Sequence, residues 1–306
     1  MILMSISVRR WLAVPALLLS LLVAGCSTAP ATTSSTSGLR VVVAFYPYQF
    51  VAERLVGDLG QVQNLTTPGA EPHDLELTAT QVAAIASADL VIYQKGFQPA
   101  VDNAITQANP SAVMDVTTIV PLRESLEQES ADDHAGDPHL WLDPTNLATI
   151  ATAVSAKLAP LSAEPAAINQ RTDALTAQLG ELDTTIRAGL ATCERRVFVT
   201  SHAAFAYLAA RYELNQVAIA GLDPSTEPSP ARIKQVHDVV AAQRVTTIFY
   251  ETLVSDAVAR SIATDLGLRT DVLDPLEGLT DASRGTDYVQ VMTANLQALR
   301  TAGDCR

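Results

Sequence analysis

Three histidines, His73, His139 and His202, are the residues of this chain best placed to do chemistry. Each sits beside a turn or helix-start signal: Pro68-Gly69-Ala70-Glu71-Pro72-His73, Asp137-Pro138-His139-Leu140-Trp141, and Thr200-Ser201-His202. By position they lie 66 and 63 residues apart, too far for a local zinc finger or a pair on one helix turn. Only a tertiary structure can gather them. Imidazole is the commonest neutral ligand for borderline divalent ions such as zinc, and an anionic fourth donor would close a tetrahedron. Asp274, in Leu273-Asp274-Pro275-Leu276, is the expected fourth donor. Its plainer reading is a side chain that caps its own Asp-Pro turn. Glu251 is a rival fourth ligand or a carboxylate that fixes an imidazole, and Glu71 is a weaker rival two residues before His73. His237 reads as a helix-surface residue, and His134 as part of a solvated acidic loop.

The frame that must position these residues alternates strand and helix. Apolar runs predict strands over residues 40–45, 62–65, 90–93 and 112–115, with helices over 50–59, 78–86 and 101–108 between and around them. Thr78 with Gln81 forms a capping box. The run 126–137, with Glu127, Glu129, Asp132, Asp133, His134 and Asp137, breaks the pattern and is expected as a mobile surface loop. Leu175, Leu179, Leu182, Ile186 and Leu190 then recur at helix period, which predicts one long helix over 164–191 that links two lobes as a strut. The alternation restarts with strands at 197–200, 217–220, 247–250 and 270–273, and helices at 203–212, 231–242, 257–266 and 288–299. The expected fold is therefore α/β: two similar lobes with central, mostly parallel sheets, joined by one long rigid helix. The expected divisions are a leader over 1–25, a lipidated cysteine and disordered tether over 26–38, a first lobe over 39–160, the linking helix over 161–192, and a second lobe over 193–306.

Ligands of open parallel sheets bind beyond the carboxyl ends of the strands. His202, Asp274 and Glu251 follow strands of the second lobe directly, while His73 and His139 belong to loops of the first. Apposing the two rims would put the site in the cleft between the lobes. Three neutral imidazoles and one carboxylate around a divalent ion, with no open position, suit binding or carrying rather than hydrolysis. Proton competition should release the ion as the imidazoles titrate near 6.5.

The bulk composition narrows the class. The formal charge is −13, the wrong sign for nucleic acid, whose phosphates require a basic face. Arg9 and Arg10 precede an apolar run over 11–23 that is shorter than a bilayer span and ends in Val23-Ala24-Gly25-Cys26. That pattern reads as an export leader whose Cys26 takes a lipid, followed by a tether rich in Ser, Thr, Ala and Pro. Cys193 and Cys305 remain, and an even pair in an exported protein suggests a disulfide.

Taken together, four segments resemble the metal-binding lipoproteins of bacterial ABC importers, the ZnuA/TroA-like cluster A-I of solute-binding proteins. They are Gly69-Ala70-Glu71-Pro72-His73 with Leu77-Thr78, Asp137-Pro138-His139-Leu140-Trp141-Leu142-Asp143-Pro144, Ser201-His202-Ala203-Ala204-Phe205-Ala206-Tyr207-Leu208, and Leu273-Asp274-Pro275-Leu276. The likeness runs from about Leu39 to the C-terminus. It implies a metal held between two lobes by His73, His139, His202 and Asp274, with Zn2+ favoured by a histidine at 202 and Mn2+ the alternative ion. It also implies delivery of the ion to an ABC permease and its ATPase, no catalysis, a monomer, and a lipid anchor on the extracytoplasmic face of the cell membrane. The family's long histidine-rich loop is here short and acidic, with His134 alone. The rivals from other classes are an exported zinc hydrolase, which would need an open coordination position and a base such as Glu251, and a surface adhesin on the same scaffold.

Overall fold

The computed structural model describes residues 38–124 and 136–306. The leader, Cys26, nearly all of the tether, and His134 with most of the acidic run lie outside the described residues. Two parallel four-stranded sheets organise the rest. The first contains β1 (Leu39–Val43), β2 (Gly60–Asn64), β3 (Leu90–Tyr93) and β4 (Val113–Asp115) in the order β2-β1-β3-β4. The second contains β5 (Val197–Thr200), β6 (Asn215–Ala218), β7 (Thr247–Tyr250) and β8 (Arg269–Val272) in the order β6-β5-β7-β8. The same winding thus occurs twice, with Val43 registered on Ile92 in one sheet and Val199 on Ile248 in the other. In each sheet the order reverses beside its first strand, and the crevice there is where open α/β sheets receive ligands.

Sequence accounts for most of the helices between the strands. α1 (Tyr46–Val56) begins earlier than the apolar spacing implies, because Pro47 presets the first turn. α2 (Ala79–Ser87) carries the expected capping box of Thr78 and Gln81. α3 (Pro99–Ala108), α4 (Pro144–Leu158) and α5 (Pro165–Leu190) all place proline in the first turn. α5 is one unbroken helix of 26 residues, about 39 Å long at 1.5 Å per residue. It buries Ile168, Thr172, Leu175, Leu179, Leu182, Ile186 and Leu190. α6 (Ala206–Arg211) starts later than expected, because the Ala203 amide bonds to the Gly221 carbonyl and the Phe205 amide to the Gln216 side chain. α7 (Pro230–Gln243), α8 (Ala257–Leu266) and α9 (Tyr288–Gly303) complete the second sheet's covering.

The two sheets share one continuous apolar core. β1, α1, α4, α5 and α9 contribute to it, and so do Phe198, Phe205, Tyr207, Leu208, Phe249, Leu273 and Leu276 of the second half. A smaller cluster of Val199, Ile219, Val236, Val240, Ile248 and Ile262 fills the other face of the second sheet. Trp141 joins the halves by polar contacts as well: its indole N–H donates to the Pro275 carbonyl at 2.7 Å, and the Tyr288 hydroxyl donates to the Trp141 carbonyl at 2.6 Å. Cys193 and Cys305 form a disulfide across 112 residues, tying the end of α9 to the lead-in of β5. Among the described residues no helix is long and apolar enough to cross a membrane.

Candidate metal centre

Each candidate donor is set by backbone that has its own partners. His73 lies in the loop between β2 and α2. Gln98 clamps that loop by donating from Nε2 to Thr66 Oγ1 and to the Pro72 carbonyl, and the Phe97 ring stands edge-on to the imidazole at 4.6 Å. His139 opens a helical turn ahead of α4. Asp137 Oδ1 accepts from both its backbone N–H, at 2.9 Å, and its Nδ1, at 2.8 Å. His202 follows β5 by two residues. Its Nδ1 lies 2.7 Å from Glu251 Oε1, which also accepts the Ser201 hydroxyl. With Nδ1 of His139 and His202 turned to carboxylates, the Nε2 lone pair of each faces inward.

Glu277 supplies the carboxylate. Its Oε1 lies 3.1 Å from His139 Nε2 and 3.5 Å from the Nε2 of both His73 and His202. Among the described residues, His73, His139, His202 and Glu277 form the one group with metal-ligand character, its donor atoms all within 4.8 Å of one another. Four donors at about 2.0–2.1 Å from a shared ion in a tetrahedron stand roughly 3.3 Å apart, so the Glu277 distances match the edges of such a shell. His73 Nε2, His202 Nε2 and Glu277 Oε2 are buried without a hydrogen-bond partner. Buried polar atoms left in that state are costly, and bonds to one cation would satisfy them. The donor set fits a zinc-like ion.

The electrostatics of the cluster without an ion follow from the same contacts. Burial alone would lower His202, but Glu251 and Glu277 outweigh it and hold its pKa well above the ordinary 6.5. Burial likewise opposes the charge on His139, and Asp137 with Glu277 raise it on balance. Burial would raise Glu277, yet His139, His202 and His73 hold it well below 4.5. These shifts are one pairing seen from both sides.

The structure gathers three of the four expected donors with Glu277 and does not place Asp274 in that group. Asp274 is buried, but Thr252, Ser283 and the Leu276 amide occupy its carboxylate, and its own backbone is held by Asn295. It caps the Asp-Pro turn, the plainer of its two readings. Leu276 adopts a left-handed φ of 59°, and the turn carries the next residue, Glu277, to the imidazoles. The only sequence signal for Glu277 was a carboxylate just past an Asp-Pro turn, five residues beyond the end of β8 at Val272. Glu251 serves as the partner of His202 Nδ1 and not as part of the four-donor group. Glu71 stands at the edge, its Oε1 4.0 Å from His73 Nε2. Asp137 departs from the expected mobile loop: it is 2% exposed, held by the Tyr207 hydroxyl at its carbonyl and by Arg123 at its amide. His237 lies within α7, outside the group.

Comparison with known proteins gives the same direction. The family described as zinc-uptake complex component A, periplasmic, matches residues 41–302. The zinc-binding lipoprotein AdcA of Streptococcus pneumoniae is 32% identical over 280 residues, covering 87% of this chain and 56% of that protein. The chain therefore spans little more than half the length of that relative. The high-affinity zinc uptake system protein ZnuA of Bacillus subtilis is 32% identical over 298 residues, covering 92% of this chain and 93% of that one. A crystal structure of Zn(II)-bound AdcA from Streptococcus pneumoniae superposes with a TM-score of 0.74 at 32% identity, over 88% of this chain and 58% of that one.

Proposed function

Given that the chain belongs to the zinc-uptake complex component A family, we propose that it binds Zn2+ outside the cytoplasm and delivers it to the permease of an ABC importer. One observation carries the reading: the Glu277 carboxylate lies at tetrahedral-edge distances from the Nε2 atoms of three imidazoles, with Nδ1 of two of them already engaged by carboxylates. Zinc is cargo here. Four protein donors leave no coordination position for an activated water, so the protein performs no reaction. Manganese is the alternative cargo, and the nitrogen-rich donor set favours zinc over it.

His73, His139, His202 and Glu277 are the proposed ligands. Asp137 and Glu251 orient two of the rings and carry negative charge that offsets the ion's. Glu251 Oε1 is committed to both Ser201 and His202, the role of a carboxylate that orients an imidazole. In this reading Cys26 carries the lipid and residues 27–38 are the tether, so the protein acts as a monomer at the outer face of the cell membrane. A lipoprotein name among the relatives supports the anchor.

Elemental analysis and competitive titration on the chain lacking residues 1–26 test the proposal. One zinc per chain is expected, bound more tightly than manganese. His202→Ala should weaken zinc binding by about 100-fold or more, since loss of a supporting contact alone costs 10–100-fold. His237→Ala should leave affinity unchanged. Equal loss in both variants, or no zinc bound, would defeat the assignment.

A further inference from the structure

The centre is sealed on most sides. His139, His202 and Glu277 have side chains 0%, 1% and 0% exposed, while His73 is 12% and Glu71 21% exposed. The loop between β2 and α2, which carries both Glu71 and His73, is therefore the side of the centre nearest to solvent. Glu71 is oriented there: its Oε2 accepts the Asp74 amide at 3.2 Å, while its Oε1 is buried and has no hydrogen-bond partner.

The distance from Glu71 Oε1 to His73 Nε2, 4.0 Å, is the informative one. Glu71 approaches His73 in this way but is not among the four residues whose donor atoms all lie within 4.8 Å of one another, so it stands beside the resident set and not in it. Two metal–ligand bonds of about 2.0–2.1 Å laid nearly end to end span 4.0–4.2 Å. One ion can therefore touch both groups at once, and Glu71 is the more exposed of the two side chains. An incoming cation must exchange its waters for protein donors one at a time, and a carboxylate at the mouth lets it keep an anionic oxygen while it does so. Accordingly, we infer that Glu71 is a transit donor: it takes the ion from solvent, passes it to His73, and receives it again on release. This rests on the zinc-binding reading above and concerns the path of the ion, not its final shell.

A transit donor speeds loading and release together and leaves the equilibrium nearly untouched. The full chain in detergent, with zinc as the probe, can be followed by stopped-flow against a fluorescent chelator. Glu71→Gln should slow both association and release by about tenfold, the scale of losing one polar group near a metal, while Kd stays within about threefold. Glu71→Asp, which keeps the charge and shortens the reach, should slow both rates by less. Glu76→Gln removes an exposed carboxylate from the same loop and should leave release unchanged. Faster release with weaker affinity in Glu71→Gln would make Glu71 a resident ligand and overturn the inference. Unchanged rates would overturn it too, as would a loss of association alone that disappears at high salt, the mark of charge steering. A wild-type chain that binds no zinc would instead remove the underlying reading.

Discussion

The two fully buried imidazoles of the centre each have one nitrogen committed and one free, and that division controls their acidity. Asp137 and Glu251 hold the Nδ1 protons, and Glu277 faces the Nε2 atoms. Without an ion, His139 and His202 are therefore more basic than ordinary imidazole despite burial, and Glu277 more acidic than ordinary carboxylate. The raised imidazole values give the metal-free protein stability that is whole below pH 6.5 and is lost as pH climbs through the folded values. The depressed Glu277 value gives stability that is present above pH 4.5 and is lost as pH falls through its folded value. The metal-free centre thus helps the fold most between 4.5 and 6.5. Zinc must displace the imidazole protons. Its affinity should accordingly keep rising as pH climbs past 6.5, where ordinary imidazoles would already have levelled off. Competition titrations at stepped pH would measure this, and a plateau starting at 6.5 would contradict it. The sequence suggested release near 6.5 because imidazole type is legible there, but the carboxylates that bias it are set by tertiary contacts.

At the scale of elements, the turn after β8 decides which carboxylate reaches the three imidazoles. Asp274 accepts the Leu276 amide and is itself gripped by Asn295 of α9, while Trp141 holds the Pro275 carbonyl from the other half of the molecule. The turn is thus pinned from two sides, and Glu277 is delivered as its product. Glu277→Gln replaces the anionic donor with a neutral amide of the same shape, so zinc affinity should fall by about 100-fold or more, and the metal-free fold should lose stability mainly between pH 4.5 and 6.5, where the carboxylate pairs with the imidazoles. Asp274→Asn alters a buried, multiply bonded carboxylate, and should lower the metal-free melting temperature as well as affinity, by about 1–3 kcal/mol of stability. Thermal melts with and without zinc separate the two cases, and a reversed pattern would return Asp274 to the donor set. Strand and helix types, the capping box of Thr78 and Gln81, and the long helix α5 were legible because period and capping chemistry are local. Glu277 was not, because a rim residue was sought directly after the strand, whereas a left-handed Leu276 moves the functional position beyond the Asp-Pro pair.

For the whole molecule, the shared core matters more than the repeated winding. α5 runs unbroken along the core, and one apolar cluster includes β1 of the first sheet and Phe249 of the second. Such a body should load its ion with small movements of loops rather than a wide hinge, since its halves have common apolar surface to lose on opening. The Cys193–Cys305 bridge belongs to this scale. It closes a loop of 112 residues, for which chain entropy gives up to about 4–5 kcal/mol. The bridge lies at the amino end of β5 and the metal centre at its carboxyl end, so the two should act independently. Replacing both cysteines by serine is expected to lower the melting temperature by about 10 °C, on a scale of about 2–4 °C per kcal/mol. Because the core is common, the loss should appear in a single transition and not as separate melting of the second half. Zinc should raise the melting temperature of the bridged and unbridged proteins by the same increment, as mass action on one unchanged site requires. Calorimetry that split into two transitions without the bridge, or a zinc increment that shrank with it, would show that the halves and the centre are less tightly joined than the shared core implies.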